Sequence, residues 1–160
     1  YQYRIKRKTA MLIGLCCKLG AMVSSADKRQ VWILSTYGHC LGIAFQIVDD
    51  ILDITADPKV LGKPIGGDIR QGIMTLPMIY ALNCSPEHQR IRELLNKRNK
   101  TEEEVIEAVE LIKKSGGIEK ARQIVNLYIE KGIKNLMELP DIPSRKALIE
   151  LARFIAERSY

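Results

Sequence analysis

The chain carries a run of 18 residues without a formal charge, Val31–Val48 (VWILSTYGHCLGIAFQIV), and the run ends directly on Asp49, Asp50 and Asp53. Such a stretch reads as a helix that is apolar on most of its sides and therefore central in the fold. Asp49 and Asp53 are four residues apart and point the same way, and Asp50 lies about one residue's rotation round the helix. Like charges at that spacing cost a helix some tenths of a kcal/mol, and more where water is excluded. A hard divalent cation is the natural compensation. Mg²⁺ takes one or two carboxylates and completes its shell with water and phosphate oxygens.

The central helix is expected from Asp27 to about Ala56, with Ser25 or Asp27 as its cap. Within it Ser35, His39, Gly42, Gln46, Asp49 and Asp53 follow 4-3-4-3-4 spacing and form one stripe, small and polar at one end and acidic at the other. Two readings of that stripe stand: a cleft wall with a metal end, or a helix contact made close by small residues. His39 alone reads as a packed, hydrogen-bonded histidine. Asp57-Pro58 stops the helix, because the residue before proline avoids the α region. Lys59–Gly72 then reads as a loop. Its Gly66-Gly67 pair lets backbone N–H groups approach an anion, with Lys63, Asp68 and Arg70 nearby. The order of a Walker loop is absent.

Before this region, Tyr1–Val23 reads as a helix with an apolar stripe of Ile5, Leu12, Leu15, Cys16, Leu19 and Val23. At about 100° per residue, Lys8 projects near the middle of that stripe. It is either a lysine snorkelling past the core edge or a cation held over an anionic ligand. After the loop, helices are expected at Thr75–Leu82, from a Ser85-Pro86 start to about Lys97, and from a Thr101–Glu104 capping box to Ser115. Two more follow. Ile118–Glu138 has Ile124, Leu127, Ile133 and Leu136 buried, and Pro143–Arg158 has the stripe Ala147, Leu148, Leu151, Phe154, Ile155. No strand pattern or repeat is present, so the expected class is all-α, an antiparallel helical bundle forming one domain over 1–160.

The net charge of +6 is spread over helix faces and does not indicate nucleic-acid binding. Cys16, Cys17, Cys40 and Cys84 lack metal-ligand spacing and read as reduced, buried thiols of a cytoplasmic protein. The uncharged run is long enough for a membrane span, but its Ser, Thr, His, Gln and glycines argue against lipid exposure. The chain opens on Tyr1, inside an amphipathic helix already under way, which suggests an internal start.

The order FQ-x-x-DD-x-x-D, GK-x-x-GGD, TLP resembles the second aspartate-rich motif of trans-prenyl diphosphate synthases. Upstream, YRIKRKTAMLI and the C-x-LGA that follows resemble the preceding helix of that family, above all of its long-chain, heptaprenyl type. The resemblance is specific from Tyr1 to about Leu82. It implies the C-terminal half of an isoprenoid-synthase bundle in which two aspartate-rich motifs bind Mg²⁺ and the diphosphate of an allylic primer. The allylic cation is attacked by isopentenyl diphosphate, and a proton is lost. By this likeness Asp49, Asp50 and Asp53 hold metal, Lys8 and Lys63 hold diphosphate, and Thr9 and Gln46 line the site. A lysine the family often carries two residues before the Thr of T-x-P is replaced by Ile73.

With one motif of the two, the chain is expected to be silent in prenyl transfer by itself. It is expected to work as a homodimer or with a small regulatory subunit. Two alternatives remain at this level: a non-catalytic regulatory subunit, and a class I terpene cyclase using the same metal logic.

Overall fold

The computed structural model describes residues 1–57, 62 and 64–158. Among them all regular structure is helical, as expected. The chain divides into two compact units, Tyr1–Val48 with Ile124–Arg158, and Asp49–Gln123. Each is described by itself.

In the first unit, α1 (Gln2–Ile5) passes through a π-helical turn, Lys6–Ala10, into α2 (Met11–Val23). The long helix α3 is Lys28–Thr55. Asp27 caps it in a reciprocal box: Gln30 N–H donates to Asp27 Oδ1 at 2.8 Å, and Asp27 N–H donates to Gln30 Oε1 at 3.1 Å. The first helical stretch meets α3 through small residues. A Cβ added at Gly42 would lie 2.6 Å from Ala10 Cα, and one at Gly14 would lie 3.3 Å from the Ser35 carbonyl oxygen. Ser35, His39 and Gly42 therefore belong to a close helix contact, the second of the two readings of the stripe.

That contact inverts the expected packing of the first helix. Ile5, Ala10, Gly14 and Ala21 are its buried residues, whereas Leu12, Leu15, Cys16, Leu19 and Val23 are exposed, Leu12 to 63% and Val23 to 86%. Two physical causes act together. Backbones can approach this closely only through small side chains. In addition, the π turn changes the rotation per residue between Ile5 and Leu12, so residues that share a face on an ideal α-helix do not share one here.

The first unit is completed by the second part of α8 (Gly117–Leu136) and by α9 (Pro143–Glu157). Tyr37, 1% exposed, donates from its hydroxyl to the Leu148 carbonyl at 2.7 Å and ties α3 to α9. Arg29 meets Glu138 at 2.6 Å. Of the positions expected inside, Leu136 is fully buried but Leu127, Ala147, Leu151 and Phe154 are exposed. Val125, Ile129, Ala152 and Ile155 are buried. The buried line of α8, Ile118, Ala121, Val125, Ile129, Leu136, again includes a small residue that size-weighted pattern reading passes over.

The second unit holds α4 (Gly67–Gln71), α5 (Leu76–Cys84), α6 (His88–Asn96) and α7 (Glu102–Lys114). The helix α4 lies within the region expected to be loop. Thr101 and Glu104 form the expected capping box at the head of α7. Ile51, Ile54, Ile69, Met78, Ile91, Leu94, Val105 and Ile112 are buried here, each contributing about 1.5–3 kcal/mol of transfer free energy. Paired Arg90–Glu107 contacts of 2.7 and 2.8 Å join α6 to α7.

The four cysteines are free thiols. Cys40 is buried, Cys17 and Cys84 are half-buried, and Cys16 is exposed, against the expectation of burial for all four. The helix α3 passes a length and apolarity test for crossing a membrane, yet 61% of its most apolar window is buried within the protein. Core packing accounts for its composition.

Candidate functional site

The first unit holds a side-chain polar pair inside its apolar packing. The π turn carries Thr9, whose hydroxyl donates to Gln46 Oε1 at 2.7 Å. Gln46 is 4% exposed. With the oxygen accepting, the amide nitrogen is the donor side of the side chain. A π turn is a frequent companion of functional positions because it re-aims a side chain by a fraction of a turn. Lys8, on the same turn, is exposed, because the apolar stripe to which it belongs is itself uncovered by the described residues. Arg7 lies 4.5 Å over the Tyr3 ring.

Between α2 and α3 runs an open groove of about 720 Å³, lined among others by Arg7, Leu12, Leu15, Lys18, Trp32 and His39. Burial and then the nearby Lys6 charge push the His39 imidazole below its ordinary value, so it is neutral at pH 7. This agrees with a packed histidine.

In the second unit the three aspartates differ. Asp49 is exposed, whereas Asp50 and Asp53 are 5% and 9% exposed. The carboxylate of Asp53 is engaged by the segment that follows. Gly67 N–H donates to Oδ1 at 3.1 Å, Asp68 N–H donates to Oδ2 at 3.0 Å, and Gly66 N–H donates to the Asp53 backbone carbonyl at 2.7 Å. Gly66 sits at φ 76°, in the left-handed region, which turns the chain into α4. A Cβ on Gly67 would stand 3.0 Å from Asp53 Oδ1. The Gly-Gly pair was read as prepared for an anion, and that anion is the protein's own carboxylate.

The far side of α4 is held as well. Arg70 makes a paired contact to Glu102, 3.0 Å from Nε and 2.6 Å from Nη2, and donates to the Ile65 carbonyl. The Glu102 hydrogen bond is the main cause that raises the Arg70 pKa and lowers that of Glu102. Ile69 is 1% exposed. The sequence reading missed this short helix and its Arg70–Glu102 tie. The usable signal was the Gly-Gly-Asp start that follows the buried Asp53. Ile73 is half-buried and brings no charge. Lys63 lies outside the described residues.

Among the described residues no three His, Cys, Asp or Glu side chains converge on one metal position. The donor set is nevertheless suited to a hard cation. Asp49, Asp50 and Asp53 offer oxygen only, and the two amide bonds to Asp53 leave lone pairs on both oxygens. Carboxylate oxygens are what Mg²⁺ uses when water and phosphate complete its shell, so in donor chemistry the residues fit such an ion.

A family model described as polyprenyl synthetase matches residues 1–112. The chain is 40% identical over all of its 160 residues to heptaprenyl diphosphate synthase component 2 of Bacillus subtilis, covering 45% of that protein. Its fold superimposes on the crystal structure of heptaprenyl diphosphate synthase from Staphylococcus aureus with a TM-score of 0.91 at 34% identity, over 98% of this chain and 49% of that one. The geranylgeranyl pyrophosphate synthase of Corynebacterium glutamicum, solved with calcium and isoprenyl diphosphate, gives 0.90 at 36% identity over 99% and 49%. The chain thus spans about half the length of the relatives it matches. A match over most of the sequence, on an all-helical fold that relatives share, shows that the chain belongs to the polyprenyl synthetase family.

Proposed function

We propose that this chain forms the second-motif half of a trans-polyprenyl diphosphate synthase, heptaprenyl in type, with residues 1–160 as one helical domain. The observation that carries this reading is the pair of buried aspartates, Asp50 and Asp53, placed in an otherwise apolar helix. Carboxylates clustered at one end of a helix repel one another, and a bound cation–diphosphate complex relieves that repulsion.

In this reading the acidic end formed by Asp49, Asp50 and Asp53 takes Mg²⁺. Lys8 and Lys63 meet the diphosphate of an allylic substrate, and Thr9 holds Gln46 so that the amide nitrogen donates toward it. Bound Mg²⁺ supplies charge neutralisation for the departing diphosphate. The residues of this chain bind and orient that group, and donors already in place stabilise negative charge as it develops, without reorganisation. The apolar lining of the α2–α3 groove suits the hydrocarbon tail. Isopentenyl diphosphate adds its double bond to that cation and loses a proton. The product is an allylic diphosphate one five-carbon unit longer, and inorganic pyrophosphate is released. The protein works in the cytoplasm as a homodimer or beside a small regulatory subunit, consistent with the component 2 name of its relative.

The test is product formation from an allylic diphosphate, labelled isopentenyl diphosphate and Mg²⁺. It is run on the 160-residue chain alone and on the chain combined with the half of a family member that the match leaves uncovered. Silence alone and condensation in combination are expected, with condensation lost in Asp49→Asn and Asp50→Asn. Normal turnover by the chain alone, or none in any combination, contradicts the proposal.

A further inference from the structure

At the acidic end, the carboxylate of Asp53 already has a task. We infer that Asp53 is a positioning residue: it anchors the Gly66–Gln71 turn through the Gly67 and Asp68 amides, and Asp49 and Asp50 carry the metal-facing charge. This deepens, and rests on, the Mg²⁺–diphosphate reading above.

Three observations support it. Both carboxylate oxygens and the backbone carbonyl of Asp53 accept consecutive N–H groups, those of Gly67, Asp68 and Gly66. Each oxygen keeps a lone pair, but a direct metal bond there would draw the carboxylate away from α4. Next, the turn is shaped for this partner. Gly66 adopts φ 76°, and any Cβ at Gly67 would crowd Asp53 Oδ1 at 3.0 Å. Finally, α4 is fixed from its other side by Arg70, through Glu102 and the Ile65 carbonyl, and from below by buried Ile69. Clamped at both ends, the turn places Asp68 at a set position next to the aspartate helix. Asp53 differs from Asp49, which is exposed and lies one helical turn earlier.

The inference separates two variants that a pure ligand role would not. Asp53→Asn keeps one acceptor oxygen and turns a second donor toward an N–H, so the turn loosens. Gly67→Ala leaves every carboxylate intact and disturbs the same contact.

The experiment measures amide hydrogen exchange of residues 64–71 in the 160-residue chain, without metal and with Mg²⁺ plus inorganic pyrophosphate. Pyrophosphate affinity across a Mg²⁺ series is measured alongside. Protection of the Gly67 and Asp68 amides is expected in metal-free protein and retained when Mg²⁺ and pyrophosphate are added. Exchange at both amides should rise about tenfold in Asp53→Asn and remain unchanged in Asp49→Asn. Asp53→Asn and Gly67→Ala should weaken pyrophosphate binding alike, and raised Mg²⁺ should restore neither. The inference is overturned if Mg²⁺ with pyrophosphate releases the Gly67 and Asp68 amides, or if high Mg²⁺ restores Asp53→Asn while Gly67→Ala binds normally. It is equally overturned if both variants lower the melting temperature but leave pyrophosphate affinity unchanged. If the unsubstituted chain shows no Mg²⁺-dependent pyrophosphate binding, the metal reading itself fails, and the metal-free exchange data still decide whether Asp53 anchors the turn.

Discussion

The hydroxyl of Thr9 donates to Oε1 of Gln46 at 2.7 Å, joining a π-helical turn to the middle of α3 across 37 residues of sequence. Gln46 is 4% exposed, so water cannot readily replace this donor. Thr9→Val preserves shape and removes the hydroxyl. It should cost about 1–3 kcal/mol, the penalty of leaving a buried acceptor short of a donor, whereas Thr9→Ser should cost much less. Urea unfolding midpoints check this, and equal midpoints for Thr9→Val and the parent would show that the contact carries no stability.

The approach of the first helical stretch to α3 predicts opposite results for two glycines. Gly42→Ala places a methyl 2.6 Å from Ala10 Cα, against backbone that cannot yield locally. It should destabilise the fold by about 1–3 kcal/mol through overpacking. Gly20, within α2, has nothing within 4 Å of an added Cβ. Gly20→Ala should therefore stabilise by up to about 1 kcal/mol, through helix propensity. Thermal unfolding of the two variants side by side should show shifts of opposite sign.

His39 gives a pH dependence with a defined sign. Burial, then the Lys6 charge, lowers its pKa in the folded protein. The unfolded chain therefore binds the proton more readily, and stability rises with pH where the two states differ in protonation. The contribution is present in full above the unfolded value of about 6.5 and is lost as pH falls below it. Between about pH 7.5 and 5.5, stability of the parent should fall more steeply than that of His39→Gln. Parallel pH profiles would mean that the imidazole titrates alike in both states.

Leu12, Leu15, Leu19, Met22 and Val23 lie exposed along α2, with Trp32 exposed on α3. An uncovered apolar surface of this kind drives association. The 160-residue chain should self-associate with rising concentration in sedimentation velocity, and Leu12→Lys with Leu15→Glu should shift it toward monomer. A strictly monomeric parent at high concentration would contradict this.

How far the sequence could be read depended on what each signal measures. Caps and breakers acted locally, so Asp27, Thr101 and Pro143 set their helix starts as expected. The uncharged run and its terminal aspartates marked α3 because burial on most sides leaves an unmistakable composition. The buried face of the first helix was not legible. Its packing residues, Ala10, Gly14 and Ala21, are small and contribute little to an apolar pattern, while the conspicuous leucines face outward. The π turn also broke the period on which that reading relied. At the site, the three aspartates and the Gly-Gly-Asp element were identifiable as residues. That Gly67 and Asp68 bind Asp53 was not, because the contact spans a loop whose path no local rule specifies.

The central claim is that the acidic end of α3 takes a divalent cation together with a diphosphate. Calorimetric titration of the 160-residue chain with inorganic pyrophosphate, in Mg²⁺ and then in chelator, tests it most directly. The account predicts binding that requires Mg²⁺ and falls about tenfold or more in Asp50→Asn, the loss of a charge-assisted contact of about 1.5–3 kcal/mol. Pyrophosphate binding that is equal with and without Mg²⁺, or equal in Asp50→Asn and the parent, would contradict it.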